Sequence, residues 1–270
     1  MIVFPHCKIN LGLHVVCKRP DGFHDIETIF YPVLWKDILE VTEGSEDNFN
    51  MDISGLTING DPKSNLIYKA WGLLKSDYSI PPIQVHFHKL LPMGAGLGGG
   101  SADAAFMLKL LNSKYNLGIS TEKLKEYAAR LGSDCPFFIE SKPCIATGRG
   151  EILAPISLDL SNYQIVIVMP KNISVGTAEA YSWVNPKVPE KSLLEIIDRP
   201  IYEWRNYLKN DFEEAVIKHH PKIGEIKNQL YEKGALYASM SGSGAAVFGI
   251  FEKGKAMNDN FLDCQVWKEN

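Results

Sequence analysis

The 270-residue sequence predicts an α+β protein of two compact halves, and three observations lead there. Single hydrophobic cores stop growing at roughly 250 residues, so a chain of this length divides. The first hundred residues alternate short β-prone runs with turn signals, whereas the remainder mixes helical spacing with strands. A passage punctuated by Pro and Gly from Lys142 to Pro155 separates the two patterns, which sets domains at 1–150 and 151–270.

The β-prone runs are LGLHVVCKR, ETIFYPVL, ILEVTE and PPIQVHFHKLL, with PDGFHD as a turn between the first two. SNLIYKAWGLLKSDY breaks the series, because Leu66, Ala70, Leu73 and Leu74 recur at helical spacing behind a candidate cap at Ser64. ADAAFMLKLLNSKYN places Ala105, Leu108 and Leu111 on one helical face. TEKLKEYAARLGSD adds a helix capped near Ser120 or Thr121 and stopped at Gly132. Beyond the boundary, NYQIVIVMP reads as a strand, KSLLEIIDRPIYEW and DFEEAVIKHHPKIGEIKNQLYEKG as helical, ALYASMSGSGAAVFGIFE as strand, glycine turn and strand, and Cys264 to Trp267 as a last strand.

Apolar residues make up 45% and charged residues 22%, the composition of an ordinary globular protein. A formal charge of -4, from 28 Lys and Arg against 32 Asp and Glu, with no basic run, disfavours nucleic acid or a membrane surface as partner. The start MIVFPHCKIN has no secretory pattern and no segment reaches the ~20 apolar residues of a membrane helix, so a cytoplasmic location is expected. The five cysteines are scattered without a CxxC pair, which argues against disulfides and a zinc site. Cys135 is expected to be a small buried filler.

The chemistry concentrates in LPMGAGLGGGSADAA, where residues 94–100 hold five glycines in seven positions between a strand-like run and a helix start. Glycines let backbone N–H groups turn toward a ligand, and a helix N-terminus adds free donors and about half a positive charge, which suits phosphate. The candidates are Gly96, Gly98, Gly99, Gly100 and Ser101. No GK[ST] closes the loop as in a Walker A site, and no acidic ribose partner follows as in a dinucleotide fingerprint. A flexible surface loop is the competing interpretation of so many glycines.

This loop resembles the central signature of the GHMP kinases, a proline and a glycine-rich stretch followed by Ser and Ala. KINLGLHV, DGFH, LGSDCPFF, ATGRGE and SGSGAAVFGIF, in that order around it, extend the resemblance along nearly the whole chain. Phe23 stands where a tyrosine is common, and Ala102-Asp103 follow Ser101 where relatives often have Ser-Asn. The resemblance implies an N-terminal ribosomal-S5-domain-2-like domain for ATP, a C-terminal ferredoxin-like α+β domain, and substrate held between them. The opening PHCKINLGLHVVCKRPDGFHDIETIF is similar to that of members that use ATP to phosphorylate the 2-hydroxyl of 4-diphosphocytidyl-2-C-methyl-D-erythritol, in the non-mevalonate route to isoprenoid precursors.

Phosphoryl transfer needs charge neutralisation, an aligned acceptor and a group to take its proton. By resemblance Asp134 is that base, and Lys8 contacts it and the reacting hydroxyl. On residue chemistry alone, a solvated or helix-capping aspartate is the favoured interpretation of Asp134, and an exposed edge-strand lysine is the alternative for Lys8. Asn10, on the same strand face as Lys8, resembles a substrate contact, with a turn asparagine as the alternative. His24 would by resemblance meet the cytosine edge, with Phe23 and Tyr181 offering aromatic faces and Thr177 nearby. Asn65 and Lys89 resemble adenine contacts, the lysine through its carbonyl, and Pro92, Gly94, Gly96, Gly98, Gly99, Gly100 and Ser101 form the phosphate loop. Mg2+ is implied with ATP, held partly by phosphates and water, with no protein metal cage. Gly242, Ser243 and Gly244 form a second glycine turn, which closes over the phosphate loop or substrate by resemblance and is otherwise a tight hairpin.

A kinase of the same family acting on homoserine, mevalonate or a sugar, and a non-catalytic nucleotide-binding module, are the alternatives. A monomer or weak homodimer is expected.

Overall fold

The structure is a computed structural model describing residues 1–45, 49–254 and 260–269. In chain order its elements are β1 (Ile2–Val3), β2 (His6–Lys18), β3 (His24–Lys36), β4 (Ile38–Glu43), β5 (Phe49–Gly55), α1 (Leu66–Asp77), β6 (Ile83–Lys89), α2 (Gly99–Lys114), α3 (Thr121–Leu131), α4 (Phe137–Glu140), β7 (Cys144–Thr147), β8 (Ile152–Pro155) and β9 (Tyr163–Pro170). Then follow α5 (Thr177–Trp183), α6 (Leu193–Ile197), α7 (Ile201–Tyr207), α8 (Glu213–His219), α9 (Pro221–Glu232), β10 (Tyr237–Met240), β11 (Val247–Glu252) and β12 (Cys264–Lys268).

These form two compact units that are not consecutive in sequence: residues 1–7, 34–93 and 98–142, and residues 8–33, 94–97 and 143–270. The division expected near residue 150 follows chain order. The compact units instead count most of β2 and β3 with the later half, because these strands share a sheet with β7 and β8.

The first unit carries a sheet of order β1-β4-β6-β5. β5 and β6 run parallel, which demands a crossover, and α1 supplies it. In β6 the buried positions alternate as Ile83, Val85 and Phe87, and the same phase carries Lys89 inward. Helix α2 packs against α1, α3 and α4. Ala105, Leu108 and Leu111 are fully buried there, as their spacing predicted.

Helix α3 starts at Ser120, whose hydroxyl accepts from Lys123 N at 3.2 Å, and stops at Gly132, as expected. The start of α1 differs from the expectation. Asn65, rather than Ser64, is the cap, its side chain accepting from Ile67 N at 2.9 Å, while Ser64 closes a short 3-10 turn by donating to Asp61 O. Asn and Ser cap comparably, so two adjacent cap-formers leave the boundary open by one residue in sequence.

The second unit holds two four-stranded sheets, β2-β3-β7-β8 and β10-β11-β9-β12. Ile165, Val166, Ile167 and Val168 of β9 are all fully buried, which explains an unbroken apolar run in place of alternation. Ile223, Ile226 and Leu230 form the inward face of α9, which packs on β10 and β11. The helical stretches expected here are each split: α6 and α7 part before Pro200, and α8 ends at His219 so that Pro221 can begin α9. Strands β10 and β11 pair antiparallel around the expected glycine turn.

No described helix is long and apolar enough to cross a membrane.

Candidate active site

In the second unit three segments far apart in sequence converge. Strand β2 presents Lys8 and Asn10 on one face, and Lys8 Nζ donates to Asn10 Oδ1 at 2.6 Å. The lysine is only 3% exposed and lies 4.7 Å from the Phe30 ring centroid, so Asn10 on the same strand supplies a polar partner of the kind its burial requires. Asn10 Nδ2 donates to Thr28 Oγ1 at 2.9 Å, and Thr28 in turn donates to Gly12 O at 2.6 Å. Asn10, expected to meet substrate, is thus also the residue that orients Lys8.

The second segment is loop 94–97. Lys8 N donates to Leu97 O at 3.0 Å and Ala246 N to Ala95 O at 3.1 Å. The third is the turn after β10. Ser241 Oγ donates to Gly96 O at 2.8 Å and accepts from Asn10 N at 3.2 Å. Gly96 has φ +73°, and a Cβ there would stand 2.0 Å from Ser241 O, so only glycine fits. Asn210 pins the turn from behind, its Nδ2 donating to Met240 O and Gly242 O, both at 2.8 Å. Ser241 and Asn210 were not singled out in the sequence. Ser241 borders the second glycine turn and was legible by that position, whereas Asn210 stands in KNDF without any local signal.

Further along the same unit, His24 and Tyr181 stack with centroids 4.6 Å apart and planes at 15°, and Tyr181 meets Phe212 edge-on at 4.8 Å. Partial burial, with the nearby Lys18 charge, holds the His24 imidazole below its usual pKa, which favours the neutral ring with one donor and one acceptor. Phe23 is 52% exposed and lies under the Arg149 guanidinium, 4.9 Å from centroid to carbon. The aromatic residues expected around a base therefore fall into two groups, His24 with Tyr181 and Phe23 with Arg149. Thr177, the first residue of α5, is hydrogen-bonded to Ser243 of the glycine turn at 3.3 Å.

In the first unit, Asp134 is half-buried in the turn between α3 and α4. That turn lies beside the first turn of α2: the Ser101 hydroxyl is hydrogen-bonded to the Cys135 thiol, and a Cβ on Gly132 would approach Cys135 Sγ at 3.3 Å and Ser101 Oγ at 3.9 Å. Cys135 is fully buried, and burial pushes its thiol up to about 12, which makes it the inert filler expected. Asn65 caps α1, and Gly99 and Gly100 open α2. Gly94 and Gly96, in the loop counted with the second unit, and Gly98, the residue before α2, all have positive φ, which favours glycine. Pro92 is buried ahead of them.

Lys89, expected to meet adenine through its carbonyl, is buried in β6 and engages two carboxylates through its side chain. Its ammonium is buried between Asp37 Oδ2 at 2.6 Å and Asp103 Oδ2 at 2.7 Å, and its carbonyl accepts from Leu56 N at 2.8 Å. No group of three or more His, Cys, Asp or Glu among the described residues is arranged to hold a metal.

Residues 65–142 match the family model described as the GHMP kinases N terminal domain, and residues 192–258 match GHMP kinases C terminal. A Bacteroides fragilis protein named 4-diphosphocytidyl-2-C-methyl-D-erythritol kinase is 53% identical over 253 residues, 93% of this chain and 92% of its own. One of the same name from Parabacteroides distasonis is 50% identical over 99% of this chain and 98% of its own. The crystal structure of a 4-(cytidine 5'-diphospho)-2C-methyl-D-erythritol kinase superposes with a TM-score of 0.74 at 30% identity, covering 93% of this chain and 90% of that one. The Methanococcus jannaschii mevalonate kinase, at 15% identity and a TM-score of 0.71 over 99% and 97% of the two chains, shares the fold. With both halves matched by the family's domain models and relatives half identical along almost their whole length, this chain belongs to the GHMP kinase family, in the two-domain α+β architecture expected of it.

Proposed function

We propose that this chain is an ATP-dependent kinase that phosphorylates the 2-hydroxyl of 4-diphosphocytidyl-2-C-methyl-D-erythritol, a step toward isoprenoid precursors. The observation that carries this reading is the 50–53% identity, over nearly the whole of both chains, to relatives of that name. The stacked His24–Tyr181 pair, with a neutral imidazole able to donate and accept, supports recognition of a cytosine edge.

In this reading the acceptor oxygen attacks the γ-phosphorus, its proton passes to the Asp134 carboxylate, and the bond to ADP breaks with its electron pair leaving on the β-phosphate oxygen. Lys8, oriented by Asn10 and Thr28, supplies positive charge to the acceptor oxygen and the transferring phosphoryl group. Loop 94–98 and the first turn of α2, with Ser101, offer N–H and hydroxyl donors to the phosphates. Phe23, His24, Thr177 and Tyr181 serve the cytidyl end, and Asn65 and the Lys89 carbonyl serve adenine. Mg2+ would enter with the nucleotide, held chiefly by phosphate oxygens and water, and would neutralise charge on the phosphates. An enzyme of these two substrates works in the cytoplasm.

An acceptor panel tests this. With Mg·ATP, kcat/KM for the cytidyl substrate should exceed that for mevalonate, homoserine and galactose by at least about 10³-fold, with CMP competing against the acceptor. Preference for another acceptor, without CMP competition, would discard the cytosine reading and keep the kinase.

A further inference from the structure

The alternation of β6 carries Lys89 into the interior of the first unit, where its side chain is 2% exposed and meets carboxylates that are themselves 0% and 5% exposed. Burial alone would discharge this ammonium, but the charges of Asp103 and Asp37 outweigh it and hold Lys89 protonated. Burial pushes the Asp103 carboxyl well above its usual range against the pull of Lys89, and buried ion pairs give little net stability over apolar residues of similar volume, so three ionisable groups kept here call for another explanation.

The partners supply one. Asp37 Oδ1 accepts from Leu90 N at 2.5 Å and Leu91 N at 2.7 Å, while Oδ2 accepts from Lys89 Nζ. One carboxylate therefore holds three consecutive residues at the point where β6 leaves its sheet and the glycine loop begins. At the other end of the loop, the same ammonium reaches Asp103, four residues into α2 from Gly99. Gly99 itself lies over it, since a Cβ there would be 3.3 Å from Lys89 Nζ. Asp103 Oδ1 is buried without a hydrogen-bond partner, so Asp103 is not placed there by the demands of its own solvation. Two carboxylates against one ammonium add no net positive charge beneath the helix, which rules out simple attraction of phosphate as the purpose.

We infer that Asp37, Lys89 and Asp103 are positioning residues: a buried clamp that fixes the start and the end of the glycine loop relative to each other and thereby sets the affinity for the nucleotide's phosphates. This rests on the kinase reading above, to which it adds residues that touch neither nucleotide nor acceptor through their side chains. The glycines between Leu91 and Gly99 have little rigidity of their own, so loop geometry depends on what holds it: the hydrogen bonds at Ala95, Gly96 and Leu97 along its middle, and the clamp at its two ends.

The test compares wild type, Asp103→Asn and Lys89→Met with Leu74→Ala, a fully buried residue of α1 whose loss destabilises the same unit without touching the clamp. Asp103→Asn and Lys89→Met should raise the KM for ATP, and the Kd for a non-hydrolysable ATP analogue, at least tenfold, with the KM for acceptor within twofold of wild type. Leu74→Ala should lower Tm comparably and leave both constants within twofold. A folded Asp103→Asn with unchanged Kd for the analogue overturns the inference. If the single variants do not fold, Lys89→Met combined with Asp103→Leu removes that buried pair together and leaves Asp37 on its two backbone N–H donors, and the same tenfold criterion decides. The binding readout separates this from the parent reading: a wild type that binds the analogue but phosphorylates no acceptor sinks only the proposed reaction. A wild type that does not bind the analogue overturns both.

Discussion

Asp134→Asn lowers kcat by about 10²–10⁴-fold, the usual contribution of a positioned general base, and leaves the KM for ATP within twofold. The amide keeps the carboxylate's shape and loses its ability to take the acceptor proton. Asp134 is half-buried in a turn whose scaffold is made by its neighbours, Gly132 at the end of α3 and the buried Cys135. Thermal stability should therefore stay within a few degrees of wild type, and a steady-state assay beside a thermal melt checks both halves of the statement. A variant that keeps more than a tenth of wild-type kcat would remove Asp134 from the chemistry.

The largest effect on the scaffold is expected from Gly96→Ala. An L-residue at φ +73° incurs about 1–2 kcal/mol, and the clash with Ser241 O adds an overpacking term of about 1–3 kcal/mol. In a protein of this size that corresponds to a fall in Tm of about 4–20 °C. Displacing the loop also breaks the Ser241 hydrogen bond to Gly96 O and strains those from Lys8 and Ala246 on either side of it, so kcat/KM should fall further than the melt implies. Gly118→Ala is the matched control, because Gly118 has φ +68° with nothing within 4 Å of its missing Cβ. If Gly96→Ala is no worse than Gly118→Ala, the close approach carries no function.

Much of this site was legible in sequence because its signals are local. Five glycines before a helix, the two-residue spacing of Lys8 and Asn10, and the Gly-Ser-Asp after α3 each declare themselves within a few residues. What stayed hidden depends on partners far away in the chain. Asn210 matters because its amide reaches Met240 and Gly242, and nothing around position 210 announces that. Lys89 in QVHFHKLL continues the buried phase of β6, a pattern that was readable, but its two carboxylates come from the junction of β3 and β4 and from within α2. The interleaving of the two compact units has the same origin: β2 and β3 join β7 across more than a hundred residues, and periodicity carries no record of such pairing. Asn65 and Ser64 show the opposite limit, where two good caps side by side make a local signal ambiguous.

The most direct test of the proposed reaction is the position of the new phosphate. With Mg·ATP and 4-diphosphocytidyl-2-C-methyl-D-erythritol, phosphorus NMR of the product should show one new phosphomonoester resonance for each ADP released, coupled to no proton because the 2-carbon is tertiary, with the diphosphate resonances of the acceptor retained. A monoester coupled to carbinol protons, a lengthened polyphosphate chain, or ADP release without any new ester would contradict it.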